Sequence, residues 1–117
     1  MSREMVIFVR VFDLLDWLMP KSEHFPRVYR HTVTQRLMDS GLDLYEALGD
    51  AQAQRGIERL AALQSADASL SRLRNYLKLI HKWQWLSHGQ YQHVSEMVAE
   101  IGRLLGGWLR QARTDQG

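Results

Sequence analysis

The sequence has no cysteine, only two prolines and no apolar run long enough to span a membrane. The missing cysteines exclude disulfides and thiolate metal sites and fit a reducing compartment, so we expect a cytoplasmic protein without a membrane partner. The apolar residues 5–9 are followed at once by charged residues, which argues against a signal peptide. A length of 117 residues predicts a single domain over residues 1–117.

Motifs that carry enzyme or cofactor chemistry are also scarce. Gly102, Gly106 and Gly107 lie within a helical pattern, with no preceding strand to form a phosphate-binding loop. The histidine spacings do not match a helical metal site, so the histidines are interpreted as surface or satisfied side chains. We therefore expect no catalytic residue, no metal site and no cofactor.

Two pairs of carboxylates leave one alternative open. Asp39 and Asp43 are one helical turn apart, as are Glu96 and Glu100, and such pairs can bind a metal in the core of a bundle. The Glu-x-x-His partner that di-metal bundles need is missing from the sequence. A bundle enzyme or metal protein built on these four residues is a rival hypothesis.

Apolar residues recur at helical spacing along most of the chain. This pattern predicts four helices over about residues 4–19, 27–53, 57–85 and 90–110. The breaks fall at Pro20 and Pro26, at Gly56, which is a plausible cap, and at residues 87–89. Short connections without a strand pattern favour an all-α, antiparallel up-down four-helix bundle, and Gly41 is expected to allow close approach of a neighbouring helix. The predicted inner positions are Ile7, Val11, Leu14, Leu18, Val33, Leu37, Leu44, Leu48, Leu70, Leu73, Leu77, Ile80, Tyr91, Val94, Val98, Ile101, Leu105 and Trp108.

The net charge of +2 conceals an uneven distribution. Residues 20–36 carry four cations and one acid, residues 39–58 carry one cation and five acids, and residues 68–95 carry four cations and no acid. The acidic segment is interpreted either as a solvated face or as a dock for a basic strip on another copy. Opposite charges on separate faces of one bundle favour head-to-tail association into rings.

The third segment concentrates its cations on one helix face. Arg74, Lys78, His81 and Lys82 fall within an arc of roughly 100°, which Trp85 would join one turn later. Like charges one turn apart repel, so an arc without acid partners favours an external anion, such as a phosphate backbone or an acidic protein surface. The simpler interpretation is a solvated helix face.

The four tryptophans have a structural interpretation too. Trp17, Trp83 and Trp108 lie on or beside apolar faces and are predicted to be core or interface residues. Trp85 lies nearer the basic arc, where it either stacks on a base or packs at a helix end.

Several short motifs, taken in order, resemble one known family. They are residues 12–20 (FDLLDWLMP), 25–27 (FPR), 35–37 (QRL), 73–79 (LRNYLKL), 90–91 (QY) and 100–109 (EIGRLLGGWL). Together they resemble the accessory variability determinant (Avd) of diversity-generating retroelements. That group lies within the four-helix-bundle family related to proteins encoded in ribosomal-RNA intervening sequences.

The resemblance implies a non-enzymatic protein that assembles into a pentameric barrel of bundles. Family members bind RNA or DNA through basic surfaces and associate with the reverse transcriptase of the retroelement, which copies a template RNA repeat into mutagenised cDNA for retrohoming. Arg74 and Lys78 match basic positions of the family, and Arg103 matches a family position whose role could be packing. Charge alone extends the expected nucleic-acid surface to Arg72, His81, Lys82, Arg27, Arg30 and Arg36.

The sequence thus predicts a scaffold that holds template and polymerase together. Arg74, Lys78 and Lys82 would contact phosphate, while the arginines of residues 27–36 extend this surface or contact the polymerase. The alternative is a pure interaction module that binds the polymerase, without nucleic acid, through the same basic stripe.

Overall fold

A computed structural model describes residues 2–116 of the protein, with the backbone alone at residue 3. Four helices follow one another: α1 (Arg3–Ser22), α2 (Val33–Ala53), α3 (Gly56–Lys82) and α4 (His88–Gln116). A short 3-10 helix, Arg27–Tyr29, lies between α1 and α2. Each helix packs against its two neighbours in a closed square arrangement, and the bundle measures 47 × 25 × 20 Å. Among the described residues, no Cα atoms of diagonally opposite helices lie within 8 Å of each other. The predicted all-α four-helix bundle is confirmed.

The core lies along the axis of the bundle, where the helical periodicity predicts it. Leu14 of α1, Leu44 of α2, Leu73 of α3 and Ile101 of α4 are fully buried. Burying each such side chain contributes roughly 1.5–3 kcal/mol of transfer free energy. Of the predicted inner residues, only Val33 and Tyr91 are half-buried rather than buried.

Gly41, predicted to allow close approach of a neighbouring helix, makes room for a side chain of α1. It is buried, and a Cβ at this position would lie 3.1 Å from Leu15 Cδ2. That distance is tighter than an ordinary van der Waals contact, so Leu15 occupies the space that the glycine leaves free.

The predicted end of the first helix and the predicted start of the second were wrong. Pro20 does not end α1, which continues to Ser22, because a proline on the exposed side of the last turn removes only one backbone hydrogen bond. Residue 27 does not begin α2. Instead, bonds from the Tyr29 N–H to the Pro26 carbonyl and from the Arg30 N–H to the Arg27 carbonyl form a 3-10 turn, and α2 begins at Val33.

The connection between α2 and α3 lies where the sequence predicts a break. Gly56 has φ +60°, a left-handed conformation that favours glycine, and α3 begins there. From this point α3 is continuous through residues 65–69 to Lys82.

Helix α3 ends three residues before the predicted boundary. The Trp85 N–H donates to the Ile80 carbonyl and the Gln84 N–H donates to the His81 carbonyl, which is the Schellman pattern, with Gln84 at φ 65° in the left-handed position. Trp85 therefore lies outside the helix, and its predicted place on the basic arc was wrong.

Helix α4 is longer than predicted at both ends. Ser87 Oγ accepts from the Gln90 N–H at 3.1 Å, and Gln90 Oε1 accepts from the Ser87 N–H at 2.9 Å, so a capping box starts the helix at His88. The helix continues past the predicted end at about residue 110 to Gln116. No helix within residues 2–116 has the length and apolarity that crossing a membrane requires.

Candidate nucleic-acid interface

A groove between α3 and α4 contains two of the predicted cations. Arg74 and Lys78 lie on one wall, and Ser95 and Ala99 lie on the other. The groove has a volume of about 220 Å³ and a mainly apolar floor that includes Leu77 and Val98. A cationic rim over an apolar floor can hold either a phosphate group or the apolar face of a peptide.

Arg74 fits into this groove because Gly102 of α4 has no side chain. Its guanidinium group lies in the space that a Cβ at Gly102 would occupy, next to Leu70. The side chain is half-buried, and its long apolar stem covers the α3–α4 contact. The helical glycine at position 102, which the sequence showed without a reason, thus makes room for Arg74.

His81 does not line this groove itself, but its ring contacts Tyr91, which does. Its ring stacks on Tyr91 with centroids 3.9 Å apart and an angle of 3° between the planes. His88 lies 5.8 Å from it, centroid to centroid. Because one ring face is covered, His81 is better placed to position Tyr91 than to contact a ligand.

Arg72 lies on the opposite side of α3, away from Arg74. Its guanidinium donates to Ser69 Oγ at 2.9 Å and pairs with Asp43 at 3.7 Å. Asp43 belongs to a second groove of about 350 Å³, between α2 and α3, together with Glu46 and Asp50. Three acids of the acidic segment therefore share one groove on the bundle surface, and the structure does not bring Arg72 together with the other predicted cations.

The remaining predicted cations gather at the bundle end, where residues 23–32 connect α1 to α2 and residues 83–87 connect α3 to α4. Arg27 and Arg30 line a cavity of about 340 Å³ beside Thr34 and Glu23. Arg36 follows on the exposed surface of the first turns of α2, and Lys82 is the last residue of α3. The candidate interface thus has two parts, the α3–α4 groove and the bundle end.

The cations of these two parts are electrostatically unpaired. Within residues 2–116, no ion pair involves Arg27, Arg30, Arg36, Arg74, Lys78 or Lys82. Three arginines outside this surface have a carboxylate partner, whereas others, such as Arg110 and Arg113, have none among the described residues. Arg72 pairs with Asp43, and Arg10 lies 4.0 Å from Asp13.

Arg103 is one of the paired arginines. Its guanidinium donates two hydrogen bonds to Glu100, at 2.6 and 3.1 Å. These hydrogen bonds, aided by the positive charge of Arg103, hold the pKa of the Glu100 carboxyl below its ordinary range. Arg103 therefore has a local partner on its own helix and is not part of the unpaired surface.

The carboxylates considered for a metal site do not converge. Asp39 and Asp43 lie on α2, whereas Glu96 and Glu100 lie on α4, on the far side of the square. In the described part of the chain, no group of three or more histidine, aspartate or glutamate side chains is placed to hold a metal ion.

One feature of the bundle end was missed by sequence reasoning. Trp83, predicted to be a core or interface residue, is 44% exposed, and Tyr29 is 43% exposed. Their ring centroids are 6.3 Å apart with 27° between the planes. The available signal was that each aromatic residue adjoins cations in the sequence, Tyr29 next to Arg30 and Trp83 next to Lys82.

Comparison with known proteins gives a family and a fold. The sequence pattern of the family described as bAvd-like matches residues 5–112. Among solved structures, the chain is similar to a protein of unknown function from the S23 ribosomal protein family of Bacteroides thetaiotaomicron, with a TM-score of 0.84 and 13% identity over 93% of this chain and 99% of that one. At this identity the likeness is one of fold alone. No curated protein sequence matches the chain.

Proposed function

The chain belongs to the bAvd-like family, and we propose that it is a non-enzymatic accessory protein of a diversity-generating retroelement. In this role it binds template RNA or cDNA through its basic surface and associates with the retroelement reverse transcriptase, in support of mutagenic retrohoming. The proposal concerns a cytoplasmic protein that works as a pentamer.

The observation that carries the proposal is the set of unpaired cations. Arg74 and Lys78 line the α3–α4 groove, and Lys82 continues their direction to the bundle end. None of the three has an ion-pair partner among the described residues. A polyanion supplies phosphates at regular spacing, and neutralising them releases counterions, which drives binding at low salt.

The mechanism that follows is scaffolding. One bundle offers a short basic surface, so a single copy binds a polynucleotide weakly. A ring of identical copies would repeat this surface and raise the effective concentration of template beside a bound polymerase. The acidic groove between α2 and α3 is chemically separate from the basic surface, as head-to-tail assembly requires.

A charge-reversal experiment tests the nucleic-acid part of this proposal. The double variant R74E/K78E should keep the helical circular dichroism of the wild-type protein and lose retention of RNA and DNA in a low-salt gel shift. The matched control is R110E/R113E, because Arg110 and Arg113 are exposed arginines near the far end of α4. Undiminished binding by R74E/K78E would contradict the proposal.

The apolar floor of the α3–α4 groove favours a second candidate function. Leu77, Val98 and Ala99 suit the apolar face of a protein helix, while Arg74 and Lys78 would pair with its acidic residues. In that case the chain is a protein-interaction bundle that binds the polymerase without nucleic acid. Co-purification with the polymerase, combined with no polynucleotide binding even at low salt, would identify this function.

A further inference from the structure

The bundle end carries a cluster of four aromatic side chains drawn from both of its connections. Phe25 and Tyr29 come from the connection between α1 and α2, and Trp83 and Trp85 come from the connection between α3 and α4. Tyr29 is the centre of the cluster, with its ring centroid 5.4 Å from Trp85 and 6.3 Å from Trp83.

The cluster has a buried side and an open side. Phe25 is 5% exposed and lies against the half-buried Trp85, with ring centroids 5.4 Å apart. Trp83 and Tyr29 form the open side and lie at 27° to each other, nearly parallel. The buried pair anchors the open pair to the core, so two aromatic rings are displayed on a fixed support.

The turn after α3 places the two tryptophans on this cluster. Gln84 separates them in the left-handed conformation, and the Trp85 N–H is bonded to the Ile80 carbonyl at 2.9 Å. This reversal of the chain directs Trp85 inward and keeps Trp83 at the rim, 5.5 Å from it.

Cations adjoin the residues of the open side along the chain. Lys82 precedes Trp83, and Arg27 and Arg30 flank Tyr29 in the chain. These three cations have no ion pair within residues 2–116. Thr34 lines the same cavity as Arg27 and Arg30. Its hydroxyl is buried and has no hydrogen-bond partner among the described residues.

We propose that the bundle end binds single-stranded nucleic acid by stacking unpaired bases on Trp83 and Tyr29, while Arg27, Arg30 and Lys82 contact the adjoining phosphates. The inference rests on the proposed nucleic-acid function and adds its substrate class. Exposed aromatic rings among cations are the combination that binds single strands, because every base offers a flat face and every nucleotide a charge. A duplex, whose bases are already stacked, cannot use these rings.

The test compares W83A with W83F on three labelled ligands: a 15-nucleotide oligothymidylate, an abasic strand of the same length and a 15-base-pair duplex. Fluorescence anisotropy should show W83A binding the oligothymidylate about 5- to 100-fold more weakly than wild type, since stacking dominates the affinity per base. W83F, which keeps an aromatic face, should bind close to wild type. All three proteins should bind the abasic strand and the duplex equally.

Because Trp83 is exposed, W83A should keep the wild-type melting temperature within a few degrees. Should W83A fail to fold, Y29A with Y29F as its control asks the same question from the other connection. Equal affinity of W83A and wild type for the oligothymidylate would overturn the inference and leave the aromatic end for a protein partner.

The same titrations separate this inference from the function on which it rests. If wild type binds the strand, R74E/K78E does not and W83A binds as wild type does, only the stacking inference fails. If wild type binds none of the three ligands at low salt, the proposed nucleic-acid function fails, and the stacking inference falls with it.

Discussion

The guanidinium group of Arg74 occupies the space beside Gly102 that any other residue would fill with its Cβ. A cation of α3 therefore lies against α4 at Gly102. This arrangement limits the conformations of Arg74 before any ligand arrives. Pre-ordering of this kind lowers the entropy that is lost when a side chain is immobilised on binding.

Substituting Gly102 tests the value of this arrangement. G102A should leave the stability unchanged or raise it by up to about 1 kcal/mol, because alanine favours helix more than glycine does and Arg74 can swing away. Polynucleotide affinity should fall about 2- to 10-fold, because the more mobile Arg74 side chain of the variant loses more conformational entropy when it binds. Thermal melts and anisotropy measure the two effects.

The matched control for G102A is G106A on the same helix. A Cβ at Gly106 would make an ordinary contact, 3.6 Å from Arg110 Nη1, and would not reach Arg74. G106A should therefore gain as much stability from helix propensity as G102A does, and it should bind the polynucleotide with wild-type affinity. Equal affinities of the two variants would contradict the pre-ordering argument.

Gln84 holds a backbone conformation that glycine adopts more easily. Its φ of 65° is left-handed, which costs a residue with a side chain roughly 1–2 kcal/mol. Q84G should therefore raise the free energy of unfolding by about 1 kcal/mol, partly offset by the greater freedom of glycine in the unfolded chain. Urea denaturation should show a higher midpoint with an unchanged slope. Q84A keeps the cost of the left-handed conformation, so its free energy of unfolding should not rise. An equal rise in Q84G and Q84A would contradict this explanation.

The capping box makes the start of α4 sensitive to a single hydroxyl. S87A removes the acceptor of the Gln90 N–H and should lower the free energy of unfolding by about 1 kcal/mol. Hydrogen exchange of the first turn of α4 should accelerate relative to the core. Ser71, exposed within α3, provides the control S71A, which should cause no such loss.

The Glu100–Arg103 pair predicts a small dependence of stability on pH, in a defined direction. The pKa of Glu100 is lowered in the folded protein, so the pair contributes stability above the ordinary carboxyl pKa and loses it as the pH falls through the lowered value. R103A should raise the pKa of Glu100 in an NMR titration. The difference in melting temperature from wild type should be small, since Arg103 is exposed and Glu100 is only half-buried, and should vanish in acid.

Arg113 supplies the control for that titration. It is an exposed arginine on the same helix without an ion pair among residues 2–116. R113A should leave the Glu100 titration unchanged. Identical Glu100 titrations in R103A and wild type would show that the two hydrogen bonds do not persist in solution.

The helical interiors could be predicted from the sequence, whereas the helix ends could not. Leu14, Leu73 and Ile101 are buried because periodicity alone fixes which face of a long helix is apolar. Residues 27–32 continue the helical pattern, but the contacts of Tyr29 with Trp83 and Trp85 come from a distant part of the chain. No local pattern could reveal them.

The candidate site was predicted in a similar, partial way. Arg74 and Lys78 share a groove because they are one turn apart. Arg72 was included in the predicted surface because of its charge alone. It lies two positions before Arg74, and residues two positions apart point to nearly opposite sides of a helix, so Arg72 lies beside Asp43 instead. The exposed Trp83 was missed because the predicted helix ran through it, and the end of α3 depends on the unusual conformation of Gln84.

The two connections at the bundle end give the molecule distinct poles. Since the helices alternate in direction, the start of α1 and the end of α4 lie together at the other pole, where Gln116 is a neighbour of Gly56. A tag or tether on either of those helix ends is separated from Tyr29 and Trp83 by much of the 47 Å long axis. Protein immobilised through such a tag would present its aromatic pole outward, so the same chain can be captured on a sensor surface from either helix end without masking the rings.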